Sequence, residues 1–237
     1  MHFMSTLASV VVNSEHIRFN KAVIATGGSS SLIPMQGIDG LFSRNKHPGD
    51  SPRPYVMTNE SFFNMTKQPE RLVVIGPGVI GIEMAQAMQR LGTKVTVMGR
   101  SGRILSREDA DLCKVIQSHL EKEGVVFRLS VSTFESIGMT GEVLDNGLPE
   151  MLIKFRQEVD SKVADATICA DAVLVAVGRL PNVCGMNLDA AGVDYDTSLG
   201  IKVNDLLQTT NPKIFAAGDC CSAFKFTHGE CALVTAV

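Results

Sequence analysis

Residues 71–83 read RLVVIGPGVIGIE, and the fold follows from this stretch. Its first five residues form a short apolar run ended by glycine, which is typical of a strand buried on both faces of a parallel sheet. From Val79 onward, apolar residues recur every three positions, which predicts a helix that ends at Gly92. Residues 93–98 then predict a second strand. The stretch and its continuation therefore predict a βαβ unit.

The glycines of this stretch fit the GxGxxG fingerprint of dinucleotide-binding proteins. Gly76 would permit a tight turn, Gly78 would let the backbone approach a pyrophosphate, and Gly81 would let helix and strand pack closely. Unpaired N–H groups at the helix start, including those of Val79 and Ile80, would bind the phosphates, since the helix dipole favours anions there. The pattern predicts a dinucleotide site, and the alternative is a turn without a ligand.

The residues that end the second strand predict which nucleotide binds. An Asp or Glu at this position accepts a hydrogen bond from the ribose 2′-OH and repels a 2′-phosphate. This chain has Gly99 instead, followed by Arg100, Arg103 and Arg107. Guanidinium groups bind phosphate well, so the pattern favours NADP. The alternative is that these arginines are solvated surface residues.

The remaining patterns predict an α/β fold, with a Rossmann-like dinucleotide-binding domain that contains an antiparallel β excursion. A second helix is expected at 109–122, with Leu112, Val115, Ile116 and Leu120 on its buried face. Further strands are expected at 9–13, 16–19, 21–25, 125–127, 134–139, 151–155, around 167–168, and at 172–177. Residues 41–54 are rich in Pro, Gly and charge, so we place a domain boundary near Tyr55.

Composition narrows the functional classes. A net charge of −3 and a pI near 6.0 give no support for nucleic-acid binding. No apolar run approaches the roughly 18 residues of a membrane span, which argues against a membrane protein. The six cysteines lack the spacing of zinc ligands, so no metal site is predicted, and they favour a reducing, intracellular compartment.

Three motifs in order make the chain similar to a known family. Residues 71–83, 176–182 (AVGRLPN) and 214–219 (IFAAGD) resemble those of the pyridine nucleotide-disulfide oxidoreductases, in the branch of glutathione reductase, dihydrolipoamide dehydrogenase and mercuric reductase. Residues 25–28 (ATGG) and 225–228 (KFTH) extend the resemblance over nearly the whole chain.

The resemblance implies how the chain divides. Residues 57–181 would form the NAD(P)-binding domain, and residues 1–56 and 182–237 would be portions of a FAD-binding domain. Glu83 would lie beside the nicotinamide and the flavin, with the alternative that it is an ordinary helix glutamate.

The other residues implied to bind cofactors lie at the ends of strands. Asp219 would hydrogen-bond the ribityl chain of FAD, while Gly27 and Gly218 would allow close approach of the backbone. Thr227, with His228, would line the isoalloxazine ring.

Gly178 and Arg179 would lie near the cofactors in the same resemblance. Arg179 could instead be a structural hydrogen-bond donor.

The resemblance also implies an activity. In the full-length enzyme, expected to be a homodimer, NADPH would reduce FAD, which would reduce a disulfide or similar small acceptor. A first GxGxxG loop and the CxxxxC pair of the family are not among these 237 residues, so we interpret the chain as the NADP-binding core of a longer enzyme. The alternatives are a non-catalytic NADP-binding module and a flavoprotein reductase without a redox disulfide.

We expect the purified 237-residue chain to be colourless and to lack NADPH-disulfide reductase activity. A flavin needs a second phosphate-binding loop, and electron transfer to a disulfide needs a reactive thiolate pair. A visible absorbance spectrum and an assay of disulfide-dependent NADPH oxidation check this expectation. A stoichiometric flavin band, or turnover above the uncatalysed rate, would contradict it.

Overall fold

The computed structural model describes residues 2–3, 9–42 and 55–221 of the chain. Within these residues there are two α-helices, α1 (Val79–Arg90) and α2 (Ala110–Lys122). Its strands are β1 (His2–Phe3), β2 (Ser9–Val12), β3 (Glu15–Arg18), β4 (Ala22–Ile24), β5 (Gly28–Ser30), β6 (Tyr55–Met57), β7 (Arg71–Ile75), β8 (Lys94–Met98), β9 (Val126–Arg128), β10 (Val131–Val143), β11 (Pro149–Val159), β12 (Lys162–Ala170), β13 (Ala172–Val175), β14 (Arg179–Pro181), β15 (Tyr195–Asp196), β16 (Gly200–Ile201) and β17 (Ile214–Ala216). Within the described ranges, no helix is long and apolar enough to cross a membrane.

The chain folds as two compact units. The central unit comprises residues 30–178, and the terminal unit comprises residues 1–29 and 179–237. The central unit begins well before the predicted boundary at residue 57, because Ile33, Met35 and Ile38 are buried in its core. Most of the connector predicted at 41–54 lies outside the described residues. The assignment of each unit to one cofactor stays a prediction.

A five-stranded parallel sheet forms the centre of the central unit, in the order β6-β13-β7-β8-β9. Alternate side chains of β7 enter two different cores. Leu72 and Val74 pack with α1 and α2, whereas Val73 and Ile75 pack with the antiparallel sheet β10-β11-β12. The sheet is therefore buried on both faces, as the apolar sequence of β7 predicts. The predicted βαβ unit and the antiparallel excursion are confirmed.

Helix α2 begins where the sequence predicts, but it buries only part of the predicted face. Asp109 caps the helix, since its Oδ1 accepts hydrogen bonds from the N–H groups of Asp111 and Leu112 at 3.0 Å each. The predicted buried face is confirmed at Leu120 and wrong at the other three positions, since Leu112, Val115 and Ile116 are 65%, 68% and 39% exposed. Only Cys113 and Leu120 of this helix are buried. These two residues lie seven positions apart, so α2 contacts the sheet along a narrow line.

The terminal unit is built from small sheets around one core. Strands β1, β2 and β3 form an antiparallel sheet, β4 pairs with β17 in parallel, and β5 pairs with β14. The core includes Ile24, Val183, Leu188 and Ile214. The strands predicted at 9–13, 16–19 and 21–25 are confirmed, with ends that differ by one or two residues.

Two contacts of Pro77 join the two loops in which the sequence predicts nucleotide binding. The glycine turn (residues 76–81) connects β7 to α1, and the arginine loop (residues 99–107) follows β8. A Cβ atom on Gly99 would collide with Cγ and Cδ of Pro77, the latter at 2.5 Å. The N–H of Leu105 donates to the Pro77 carbonyl at 2.8 Å. Pro77 therefore leaves no room for a side chain at position 99 and ties the arginine loop to the glycine turn.

The contact between Gly99 and Pro77 predicts the effect of a single methyl group. We expect Gly99→Ala to lower the free energy of unfolding by about 1–3 kcal/mol, because the added Cβ overpacks against the proline ring. The double variant Pro77→Ala/Gly99→Ala lacks the Cγ and Cδ atoms of the proline ring. The nearest side-chain atom of residue 77 is then its Cβ, 3.5 Å from the Cβ at position 99. The double variant should therefore recover part of the loss.

Urea denaturation of the four proteins in this cycle gives the coupling energy. Gly102→Ala is the matched control in the same loop, since a Cβ there meets only Ser130 Oγ, at 3.4 Å. A Gly99→Ala protein as stable as the Gly102→Ala protein would contradict the steric account.

Candidate functional site

The glycine turn has the close packing that its sequence requires. Gly76 adopts a φ of +117°, and a Cβ there would collide with the Ala176 carbonyl oxygen of the neighbouring strand end. A Cβ on Gly81 would collide with the carbonyl oxygen of Gly76 and lie 3.2 Å from Val74 Cγ1. The turn thus brings the start of α1 directly onto the end of β7.

The start of α1 is open and has no acidic residue. Gly78 is the N-cap residue, and, its chain neighbours apart, no described atom lies within 4 Å of the position that a Cβ at Gly78 would take. The first N–H that bonds back to the N-cap is that of Ile82, which donates to the Gly78 carbonyl at 2.9 Å. The N–H groups of Val79, Ile80 and Gly81 have no acceptor within the helix. This geometry suits a phosphate at the helix start.

The arginine loop does not use its three arginines in the same way. Arg103 donates to the carbonyl oxygens of Ser106 and Glu108, at 2.7 and 2.9 Å, and so braces the loop. Arg100 and Arg107 are exposed, and among the described residues neither guanidinium forms an ion pair or a hydrogen bond. Arg100 and Arg107 are therefore the cations available to an external anion. The sequence did not distinguish them from Arg103.

The glycine turn lies at the point in the parallel sheet where the strand order reverses. From β7 the chain adds β8 and β9 on one side, while β13 pairs on the other side. Such a switch point, at the carboxyl ends of the strands, is the usual ligand site of open α/β sheets. Gly178 follows β13 at this same edge, with a φ of +137°, and its carbonyl accepts from the Ser31 N–H at 2.9 Å. Glu83 is exposed on α1, in the second turn from the glycine turn.

In the terminal unit, an ion pair connects two of the sequence motifs. The Arg179 Nε donates to Asp219 Oδ2 at 2.7 Å, and the same guanidinium donates to the Gly28 carbonyl. Both side chains are mostly buried, at 19% and 9% exposure. The alternative that Arg179 is a structural donor agrees with this geometry. No sequence signal indicates the pair, because its members lie in separate motifs 40 positions apart.

Two glycines of the terminal unit lie close to this ion pair. Gly27 follows β4 and Gly218 follows β17, both with positive φ, at +66° and +79°. Because β4 and β17 are parallel neighbours, the two glycines lie at the same end of that strand pair. The structure thus brings Gly27, Gly218, Asp219 and Arg179 together. Thr227 and His228 lie outside the described residues.

The comparisons with known proteins agree with this fold. The model of the pyridine nucleotide-disulphide oxidoreductase family matches residues 4–235. A mercuric reductase of Lysinibacillus sphaericus is 32% identical over 212 residues, which cover 90% of this chain and 34% of that enzyme.

Two solved structures are similar over most of the chain. The HOCl-induced flavoprotein disulfide reductase RclA from Escherichia coli has a TM-score of 0.77 and 26% identity, covering 99% of this chain and 47% of RclA. An engineered water-forming NADPH oxidase, solved with NADPH bound, has a TM-score of 0.65 and 26% identity, covering 87% of this chain and 40% of that enzyme. This chain spans less than half the length of each of these proteins. From its fold and the family match over residues 4–235, the chain belongs to the pyridine nucleotide-disulphide oxidoreductase family.

Proposed function

We propose that this chain is the nucleotide-binding core of a flavin-dependent oxidoreductase that uses NADPH to reduce a disulfide-type acceptor. The observation that carries the proposal is the exposed Arg100 at the end of β8, where the chain has no carboxylate, in a loop tied to the open start of α1. When bound, the reduced nicotinamide supplies a hydride that FAD accepts.

The glycine turn would bind the pyrophosphate of the nucleotide. The N–H groups of Val79, Ile80 and Gly81 would donate to its oxygens, and the helix dipole would add to the attraction. The empty space around Gly78 would admit the phosphates close to the backbone. Glu83 and Gly178 would lie toward the nicotinamide, since both are in the central unit near the carboxyl edge of its sheet.

Arg100 would bind the 2′-phosphate that distinguishes NADPH from NADH. Two unit charges 4 Å apart attract by about 4 kcal/mol at an effective dielectric constant of 20, before desolvation is subtracted. A third of that energy already corresponds to roughly tenfold in affinity. Arg107 is the second cation available to the phosphate, whereas Arg103 would support the loop that presents them.

The engineered NADPH oxidase supports this assignment by its chemistry. Five substitutions distinguish it from its parent, an NADH oxidase of Lactobacillus brevis. Three of them change an aspartate and the two residues after it into Ala-Arg-Ser, and a fourth introduces another arginine five positions later. The fifth substitution replaces a glycine that lies 18 positions before that aspartate. In this chain, Gly81 and Gly99 are also 18 positions apart. This chain has Arg100 and Ser101 directly after Gly99.

The terminal unit would supply part of the flavin site. Asp219 would accept a hydrogen bond from the ribityl chain of FAD, and Gly27 and Gly218 would allow the cofactor close to the backbone. Arg179 would act through Asp219, because its bond to Oδ2 fixes the carboxylate of that residue. Thr227 would complete this part of the site.

The name of one related protein bears on the acceptor. RclA is described as a flavoprotein disulfide reductase, which supports a disulfide-type acceptor for the whole protein to which this chain corresponds. We propose that the whole protein is a homodimer.

We expect the chain to bind NADPH at least about tenfold more tightly than NADH, because only NADPH carries the phosphate that Arg100 can bind. Isothermal titration calorimetry with both nucleotides measures the ratio. Arg100→Glu should reverse the preference, since a carboxylate near the ribose accepts from its 2′-OH and repels a 2′-phosphate. Lys122→Glu is the matched control, because it makes the same change in charge at an exposed position on α2. Equal affinities in the unmodified chain, or an equal effect of the two substitutions, would contradict the assignment.

A further inference from the structure

Two adjacent cysteines lie directly after Asp219 in the terminal unit. The side chain of Cys220 is fully buried, and its Sγ donates to the carbonyl oxygens of Ala217 and Ile24, at 3.1 and 3.3 Å. Cys221 is half-buried, and its Sγ donates to the Gly218 carbonyl at 3.5 Å. The two thiols therefore bond to the neighbouring carbonyl groups of Ala217 and Gly218, where the short 3-10 turn Gly218–Cys220 begins.

The two thiols differ in their readiness to lose a proton. A hydrogen bond from the Cys221 thiol, helped by backbone groups of Thr26 and Gly27, lowers the pKa of Cys220, although burial opposes this shift. The same contact with Cys220, together with burial, raises the pKa of Cys221. Cys220 is thus the better nucleophile of the pair.

A direct disulfide between these residues is unfavourable. Neighbouring Cα atoms across a trans peptide are about 3.8 Å apart, whereas disulfides usually need about 4.4–6.8 Å. A third atom that bridges the two sulfurs enlarges the ring and removes the need for an S–S bond. The pair is therefore better suited to hold one bridging centre than to oxidise.

We propose that Cys220 and Cys221 form a two-sulfur site for a trivalent arsenical. Arsenic(III) is a soft centre that prefers sulfur ligands and holds them close together in a pyramidal arrangement, and soft thiolates select such centres. With an organic arsenic(III) oxide, two S–As bonds form and the arsenic–oxygen bond breaks. The oxygen leaves as water with the two thiol protons, so no atom changes its oxidation state. This site does not depend on the proposed NADPH-dependent activity.

The test uses the full chain under native conditions with phenylarsine oxide. We expect intact-mass spectrometry to show one adduct that survives excess glutathione, a monothiol, and is removed by 2,3-dimercaptopropanol, a dithiol. Peptide mapping should show Cys220 and Cys221 protected from iodoacetamide. Cys184, which is exposed, should still be alkylated. Absence of a glutathione-resistant adduct, or protection of other cysteines in place of this pair, would overturn the proposal.

Cysteine variants and a melting curve distinguish binding of the arsenical to the folded chain from binding to the unfolded chain. Cys220→Ser and Cys221→Ser should each lower the yield of the glutathione-resistant adduct about tenfold or more, because the single sulfur that remains cannot chelate the arsenic. Cys184→Ser is the matched control and should keep it. The arsenical should raise the Tm of the unmodified chain, since a ligand of the native state stabilises it. A fall in Tm would mean that only the unfolded chain binds, and an adduct that persists in both pair variants would place it elsewhere; either result overturns the proposal.

Discussion

The packing of Pro77 against Gly99 is the constraint on which the nucleotide site depends. The proline ring occupies the space that a side chain at position 99 would need, so this position has no room for the carboxylate that selects NADH. The Pro77 carbonyl also accepts from Leu105, which holds the arginine loop against the glycine turn. Loss of the carboxylate and placement of the arginines thus have one structural cause. In this account, the proposed preference for NADPH follows from how two loops pack.

The terminal unit depends on a different interaction. Arg179 and Asp219 lie 40 positions apart, and their ion pair brings β14 to the turn that follows β17. A buried pair of this kind is costly to break on one side, because the remaining charge stays uncompensated, at about 3–5 kcal/mol. The bond from Arg179 to the Gly28 carbonyl adds a third segment to the same point. Within the terminal unit, residues 179–182 and 214–219 are therefore parts of one local structure.

The sequence predicted those features that depend on neighbouring residues. The bounds of β7, α1 and β8 follow from apolar periodicity and from Gly76 and Gly92, which are local signals. The beginning of the central unit could not be predicted in this way. Residues 33–38 join it through distant partners, as when Gln36 bonds to the backbone of Glu135 and Ile137 at 3.0 and 2.9 Å.

The same limit applies to single side chains. Helical spacing predicted four buried residues on α2, but of these only Leu120 is buried, and it shares the core with Cys113, which the spacing did not indicate. The three arginines after Gly99 look equivalent in sequence, and only the carbonyl oxygens around Arg103 distinguish it from Arg100. Which side chain faces a partner depends on three-dimensional neighbours that a linear pattern does not contain.

The central claim is that the glycine turn and the arginine loop form one nucleotide site, in which the loop recognises the 2′-phosphate. Backbone amide NMR of the chain, titrated with adenosine 5′-monophosphate and with adenosine 2′,5′-bisphosphate, tests it most directly. The account predicts that both ligands shift the amides of residues 76–82, and that only the bisphosphate shifts those of residues 99–103. Equal shifts of the arginine loop with both ligands, or no shift at the start of α1, would contradict it.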